Sequence, residues 1–173
     1  MTANLRVTMI QADLAWQDPA TNRRNLAAHF RGLAGHTDLI VLPEMFTTGF
    51  SMAADSLAET MAGATVGWLR EEAAAIGCAI TGSLIVEENG RHYNRLVWAT
   101  PDGNFAHYDK RHLFRMAREQ EHYAAGSRRL VVELKGMSRG SALAAALRAA
   151  GLALVPSEPR GKPVTLRAVL QMP

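Results

Sequence analysis

The run from Asp38 to Leu42, closed by Pro43, constrains this chain more than any other segment. A short continuous apolar stretch ended by proline reads as a strand buried on both faces. Such a strand belongs inside a layered α/β sheet, with its neighbours supplied by crossover connections. The surrounding pattern agrees. Leu5 to Gln11 is a short β-branched and apolar run, read as the first strand. Asp18-Pro19 then reads as a helix start, with Asp18 as N-cap and Pro19 in the first helical position. Leu26, Phe30 and Leu33 follow at i, i+4 and i+7 and mark one apolar stripe, with Gly35 as the stop.

After Pro43 the spacing predicts a helix over about Val66 to Ile76, capped by Gly77, and a strand over Cys78 to Val86. Asn89-Gly90 is a hairpin turn, and Pro101-Asp102-Gly103 is a second. Tyr93 to Thr100 and Asn104 to Tyr108 are the strands these turns join. The order is β-α-β-α-β followed by a meander, an α/β arrangement. Glu44 then lies just past the carboxyl end of a central strand, the edge where open α/β sheets collect ligand-binding residues. Lys110 lies just past the end of the last meander strand.

With 173 residues, nearly half of them apolar, the chain suffices for one domain with a sizeable core. No apolar run reaches the roughly 20 residues needed to cross a bilayer. Met1-Thr2-Ala3-Asn4 lacks the basic and apolar regions of a signal peptide, so the expected location is cytoplasmic. The single cysteine, Cys78, excludes an intramolecular disulfide and gives no sign of a zinc cluster. A net charge of +3 is mild. The one dense basic group, Lys110, Arg111, His112, Arg115 and Arg118, reads as a solvated face and not as a nucleic-acid module.

Taken alone, Glu44 is either a loop residue or a general base. Phe46 and Phe50 are expected to shield it from water, which would raise its pKa toward a useful value. Lys110 is either a solvated cation or an ammonium aimed at the oxygen of a tetrahedral intermediate. Glu119 and Glu121, taken alone, read as surface carboxylates. Cys78 follows Ala73-Ala74-Ala75-Ile76-Gly77 and opens an apolar strand, as a small core residue does.

Two blocks sharpen these readings: Leu42-Pro43-Glu44-Met45-Phe46-Thr47-Thr48-Gly49-Phe50 and Tyr108-Asp109-Lys110-Arg111-His112-Leu113-Phe114. With Gln11, Gly82-Ser83, Tyr93-Asn94-Arg95 and Glu119-Gln120-Glu121-His122-Tyr123-Ala124-Ala125-Gly126, they resemble the nitrilase (carbon–nitrogen hydrolase) superfamily, most closely its omega-amidase branch. The resemblance runs from about Leu5 through Gly136. It implies the N-terminal part of an αββα sandwich and cleavage of small ω-amides of 2-oxo acids. In that chemistry a cysteine thiolate attacks the amide carbon and a thioester forms, with no metal or organic cofactor. Glu44 matches the general base, Lys110 the oxyanion-stabilising lysine, and Glu119 the supporting glutamate; Glu121 suits that role less well. A small-molecule amide substrate and a homodimer are implied, with no nucleic acid and no membrane.

The nucleophilic cysteine of the family follows the lysine on a strand-to-helix elbow after Gly136, and this chain has no residue of that kind there. Residues 1–136 therefore read as a truncated hydrolase domain. Residues 137–173, rich in Ala, Leu, Arg, Gly and Pro, read as a divergent tail of the kind a shifted reading frame produces. One helix is expected over Ser141 to Ala150, and Pro156, Pro159 and Pro163 are expected to end regular structure. The expectation is a chain without amidase activity. Its rivals are a non-catalytic descendant that binds a metabolite or partner subunit, and an unrelated doubly wound nucleotide-binding domain. The last lacks any phosphate-cradling glycine motif.

Overall fold

The computed structural model describes residues 6–128, 130–134, 153–156 and 166–169. Five strands form one sheet in sequence order: β1 (Val7–Met9), β2 (Leu39–Val41), β3 (Ala79–Glu88), β4 (Arg91–Ala99) and β5 (Phe105–Asp109). The first three run parallel, and the last two pairings are antiparallel. Parallel neighbours need crossover connections. The helix α1 (Pro19–Phe30) supplies the first, and α2 (Ala54–Leu57) with α3 (Ala64–Ile76) lies in the second. The β3–β4 connection is the tight turn expected at Asn89-Gly90, where both residues take positive φ, 55° and 71°. That geometry suits the right-handed twist of a two-residue hairpin.

The start of α1 and the end of α3 stand where expected, and the other end of each helix shifts. Asp18 caps α1 by accepting a hydrogen bond from the Thr21 backbone N–H at 3.0 Å, with Pro19 behind it. The helix stops at Phe30, before the expected Gly35, because Gly32 already turns left-handed at φ 80°. Leu33 still packs on the core, from the turn beyond the helix. Helix α3 begins two residues earlier than expected and ends at Gly77, whose φ of 75° and bond to the Ala73 carbonyl close it.

Alternation along the strands sorts side chains into two faces. Ile40, Leu42, Ile80, Leu84, Val86, Val97 and Ala99 meet Leu26, Phe30, Val66, Leu69, Ala73 and Ile76 of the helices. Fully burying one such leucine or isoleucine contributes about 1.5–3 kcal/mol, and several are wholly inaccessible. On the other face Leu39, Val41, Ala79, Trp98 and Tyr108 are covered by Leu130 and Val132. Val132 belongs to β6 (Val131–Leu134), which pairs antiparallel with β8 (Leu166–Val169); β8 pairs in turn with β7 (Ala153–Pro156). Regular structure was expected to end at the prolines, yet two strands form in this region. Pro156 closes an edge strand, a position where proline forfeits no needed donor. The helix expected over Ser141 to Ala150 lies outside the described residues. Among the described residues no helix is long and apolar enough to cross a membrane.

Candidate active site

Glu44, Lys110 and Glu119, separated by up to 75 positions, converge past the carboxyl edge of the sheet. Glu44 arrives on a turn pinned to β3. The Leu42 N–H donates to the Thr81 carbonyl at 2.8 Å, the Met45 N–H to the Ser83 hydroxyl at 2.9 Å, and the Phe46 N–H to the Ser83 carbonyl at 3.0 Å. Met45 adopts φ 46° there, an unusual value for a side chain of that size. The turn can lie this close because residue 82 is glycine. A Cβ on it would stand 2.7 Å from the Leu42 Cβ and 2.8 Å from the Phe46 ring. Gly82 and Ser83, with no assigned role in the sequence, therefore shape the approach of Glu44.

Lys110 follows β5. Its N–H donates to the Asn94 carbonyl at 2.9 Å, and its own carbonyl accepts from Gly126 N–H at 3.0 Å. Gly126 has a steric reason to be glycine, since a Cβ would collide with the Asp109 carbonyl group. The residue before Lys110 is held as well, because Asp109 accepts from Arg95 Nε at 2.5 Å and Nη2 at 2.9 Å. Arg95 is only 1% exposed.

The ammonium of Lys110 sits between two carboxylates, 2.8 Å from Glu44 Oε1 and 2.9 Å from Glu119 Oε2. The Phe50 ring lies 5.1 Å from Nζ, close enough for a cation–π contact. Burial by itself opposes the charge, but the hydrogen bonds to Glu44 and Glu119 outweigh it and hold the lysine pKa above its usual value. Lys110 is thus a fixed, protonated cation.

The two carboxylates differ sharply. Glu119 is inaccessible to solvent and accepts from Lys110, from Asn94 Nδ2 at 3.0 Å and from the Phe114 N–H at 2.6 Å. It stands at the start of a 3₁₀ turn, Glu119–Glu121, after Arg118 in left-handed geometry at φ 57°. Glu121 points away and pairs on the surface with Arg118 at 2.7 Å. The glutamate side chain of Glu44, by contrast, is 42% exposed. The expected shield is absent: Phe46 turns into the core at 0% exposure, and Phe50 covers the lysine instead. Tyr123 steadies the loop through its O–H, which donates to the Ser51 carbonyl at 2.5 Å; burial raises its pKa.

The basic group expected as one solvated face is divided. Lys110 is buried and Arg118 is paired, while Arg111, His112 and Arg115 remain exposed. Sequence reasoning gave no role to Asn94, although it donates to Glu44 Oε1 at 2.7 Å as well as to Glu119. Its place in Tyr93-Asn94-Arg95 was the only available signal.

Cys78 stands elsewhere. It immediately precedes β3, at the amino edge of the parallel strands, and is 3% exposed within the helix-side core. Burial, with a smaller contribution from Asp38, pushes its thiol up to about 11. Among the described residues no hydrogen bond reaches the thiol and no cation favours its charged form. Among the described residues no group of three or more His, Cys, Asp or Glu side chains could hold a metal ion.

Fold and site together define a mixed α/β protein that gathers a lysine and two carboxylates at the carboxyl edge of its sheet. The carbon-nitrogen hydrolase family profile matches residues 6–155, and the chain belongs to that family. The matched span continues past Gly136. Omega-amidase YafV of Escherichia coli (strain K12) is 42% identical over 134 residues, covering 76% of this chain and 51% of that protein. A 2-oxoglutaramate amidase of Bacillus subtilis (strain 168) is 31% identical over 134 residues, covering 76% and 52%. Among solved structures, a CN-hydrolase superfamily protein of Xanthomonas campestris, with an arsenic adduct in its active site, superposes with a TM-score of 0.75. It is 51% identical, covering 77% of this chain and 50% of its own. The chain spans about half the length of the relatives it matches.

Proposed function

We propose that this chain carries the acid–base and oxyanion half of an omega-amidase-type site, built to act on small ω-amides of 2-oxo acids, and lacks the nucleophile that completes it. The observation that carries the reading is Lys110 Nζ held between Glu44 and Glu119 at 2.8 and 2.9 Å. In the reaction that this arrangement serves, Glu44 takes the proton of an attacking thiol. Lys110 stabilises the oxyanion that forms on the amide carbon, ammonia leaves, and water hydrolyses the thioester. Glu119, saturated and dry, holds the lysine.

Within this polypeptide the only thiol is Cys78, which lies at the opposite edge of the sheet with a raised pKa. Loss of the nucleophile in a comparable covalent enzyme costs on the order of 10⁶ in turnover. The purified chain is therefore expected to release no ammonia above background from 2-oxoglutaramate, measured by a coupled glutamate dehydrogenase assay. Thiol-dependent turnover by the chain would overturn the reading.

A further inference from the structure

We infer that Asn94 is a positioning residue that joins Glu44 to Glu119 through one amide nitrogen and leaves a single oxygen of Glu44 free to accept a proton. Asn94 lies on β4, between β3 and β5, and is 2% exposed. Its Nδ2 carries two hydrogens, and the two carboxylates take one each, at 2.7 and 3.0 Å. Its carbonyl accepts the Lys110 N–H at 2.9 Å. One residue therefore joins both carboxylates through its side chain and anchors the Lys110 backbone through its own main-chain carbonyl.

The chemistry of the amide suits this position. One ammonium beside two carboxylates leaves one negative charge uncompensated. A second cation there would repel Lys110, and an aspartate would add a third anion. A neutral amide donates to both carboxylates and adds no charge. The oxygen of the same amide could not replace the nitrogen, because it would face carboxylate oxygens with no hydrogen between them.

The consequence is a division of labour. Both oxygens of Glu119 are occupied, Oε1 by Asn94 and Oε2 by Lys110 and the Phe114 N–H. In Glu44, Lys110 and Asn94 both bind Oε1. Among the described residues no hydrogen bond reaches Glu44 Oε2. Asn94 thus helps fix Oε1 and leaves Oε2 without a hydrogen bond, on a side chain that is 42% exposed. This meaning rests on the reading of Glu44 as proton acceptor; the clamp itself does not.

The clamp is tested on the intact chain by NMR of the Asn94 side-chain amide. Both protons are expected downfield and protected from exchange, and Glu44→Ala should return one of them to the position of a free amide. Two protons at the free-amide position in the unaltered chain would overturn the proposal. A second measurement reads Lys110 by reductive methylation and peptide mass spectrometry. Asn94→Leu is expected to speed its modification about tenfold, the equivalent of one lost charged hydrogen bond. A folded Asn94→Leu chain with a lower melting temperature but unchanged Lys110 protection would make Asn94 merely structural. Should that variant fail to fold, the amide spectra of the unaltered and Glu44→Ala chains decide. Ammonia release by the chain would overturn the proposed lack of turnover and leave these spectra untouched.

Discussion

The two edges of the parallel strands treat their reactive groups in opposite ways. At the carboxyl edge, Glu44, Lys110, Glu119 and Asn94 are charged or polar, and each is hydrogen-bonded to others of the group. At the amino edge, Cys78 is packed among aliphatic side chains and kept neutral. A buried ammonium survives when two carboxylates hold it, whereas a buried thiol with no cation nearby stays protonated. The lesson is that burial alone does not make a reactive group. What its neighbours offer the charged form decides, and only one edge of this sheet offers anything.

The largest expected effect sharpens that contrast at Cys78. A thiol with pKa about 11 is ionised to about one part in a thousand at pH 8. An unfolded thiol, with a pKa of about 8.5, is about one-quarter ionised at that pH, so labelling by a disulfide reagent should be at least about two hundredfold slower in the folded chain than in urea. Because Cys78 is the only cysteine, the rate reports directly on this site. Rapid native labelling would place the thiol in a reactive setting and break the comparison. The pH dependence has a definite sign. A raised thiol pKa means the folded chain keeps a proton that the unfolded chain loses, so stability falls as pH rises from about 9 toward 11. Lys110 acts in the same direction: its contribution is complete below its unfolded pKa of about 10.4 and is lost as pH passes through the higher folded value.

Next in size is Lys110→Met. The substitution keeps the stem and removes the charge, leaving Glu119 buried without its cation. Breaking a buried pair in this way costs about 3–5 kcal/mol, to be read from the urea midpoint. The double change Lys110→Met with Glu119→Gln should recover part of it, since the stranded charge is then gone. A loss below about 1 kcal/mol would mean that the pair behaves as an exposed one.

Much of the frame was legible because its signals are local. Asp18-Pro19 named the start of α1, Asn89-Gly90 the hairpin, and the Asp38–Leu42 run a central strand, each through chemistry confined to a few neighbours. The meeting of Glu44 with Lys110 was legible only through family blocks, because no periodicity links residues 66 positions apart. Asn94 escaped for a different reason. A neutral amide within a strand has no signature of chemistry, and its role exists only once β4 stands between two carboxylates. The exposure of Glu44 was misjudged because neighbouring phenylalanines in sequence need not be neighbours in space. Met45 at φ 46° redirects the chain and sends Phe46 into the core. The β7 and β8 strands were hidden by prolines that read as breakers, although an edge strand tolerates one at its end.

The smallest expected effect separates the two glutamates themselves. In Glu44→Gln the side-chain oxygen can still accept from both Lys110 and Asn94, and the new amide nitrogen can face water. With the native carboxylate 42% exposed, the lost ion pair is screened and should cost less than about 1 kcal/mol. Glu119→Gln has no such escape. Both oxygens already accept hydrogen bonds in a site closed to water, so either orientation of the amide turns a donor toward Asn94, Lys110 or the Phe114 N–H. Losing bonds to a charged acceptor there costs about 1.5–3 kcal/mol. Equal melting temperatures for the two variants would show that burial does not distinguish the carboxylates. A gap in the stated order ties Glu119 to holding the site and frees Glu44 for proton transfer, because a residue essential to the architecture is poorly suited to change its charge.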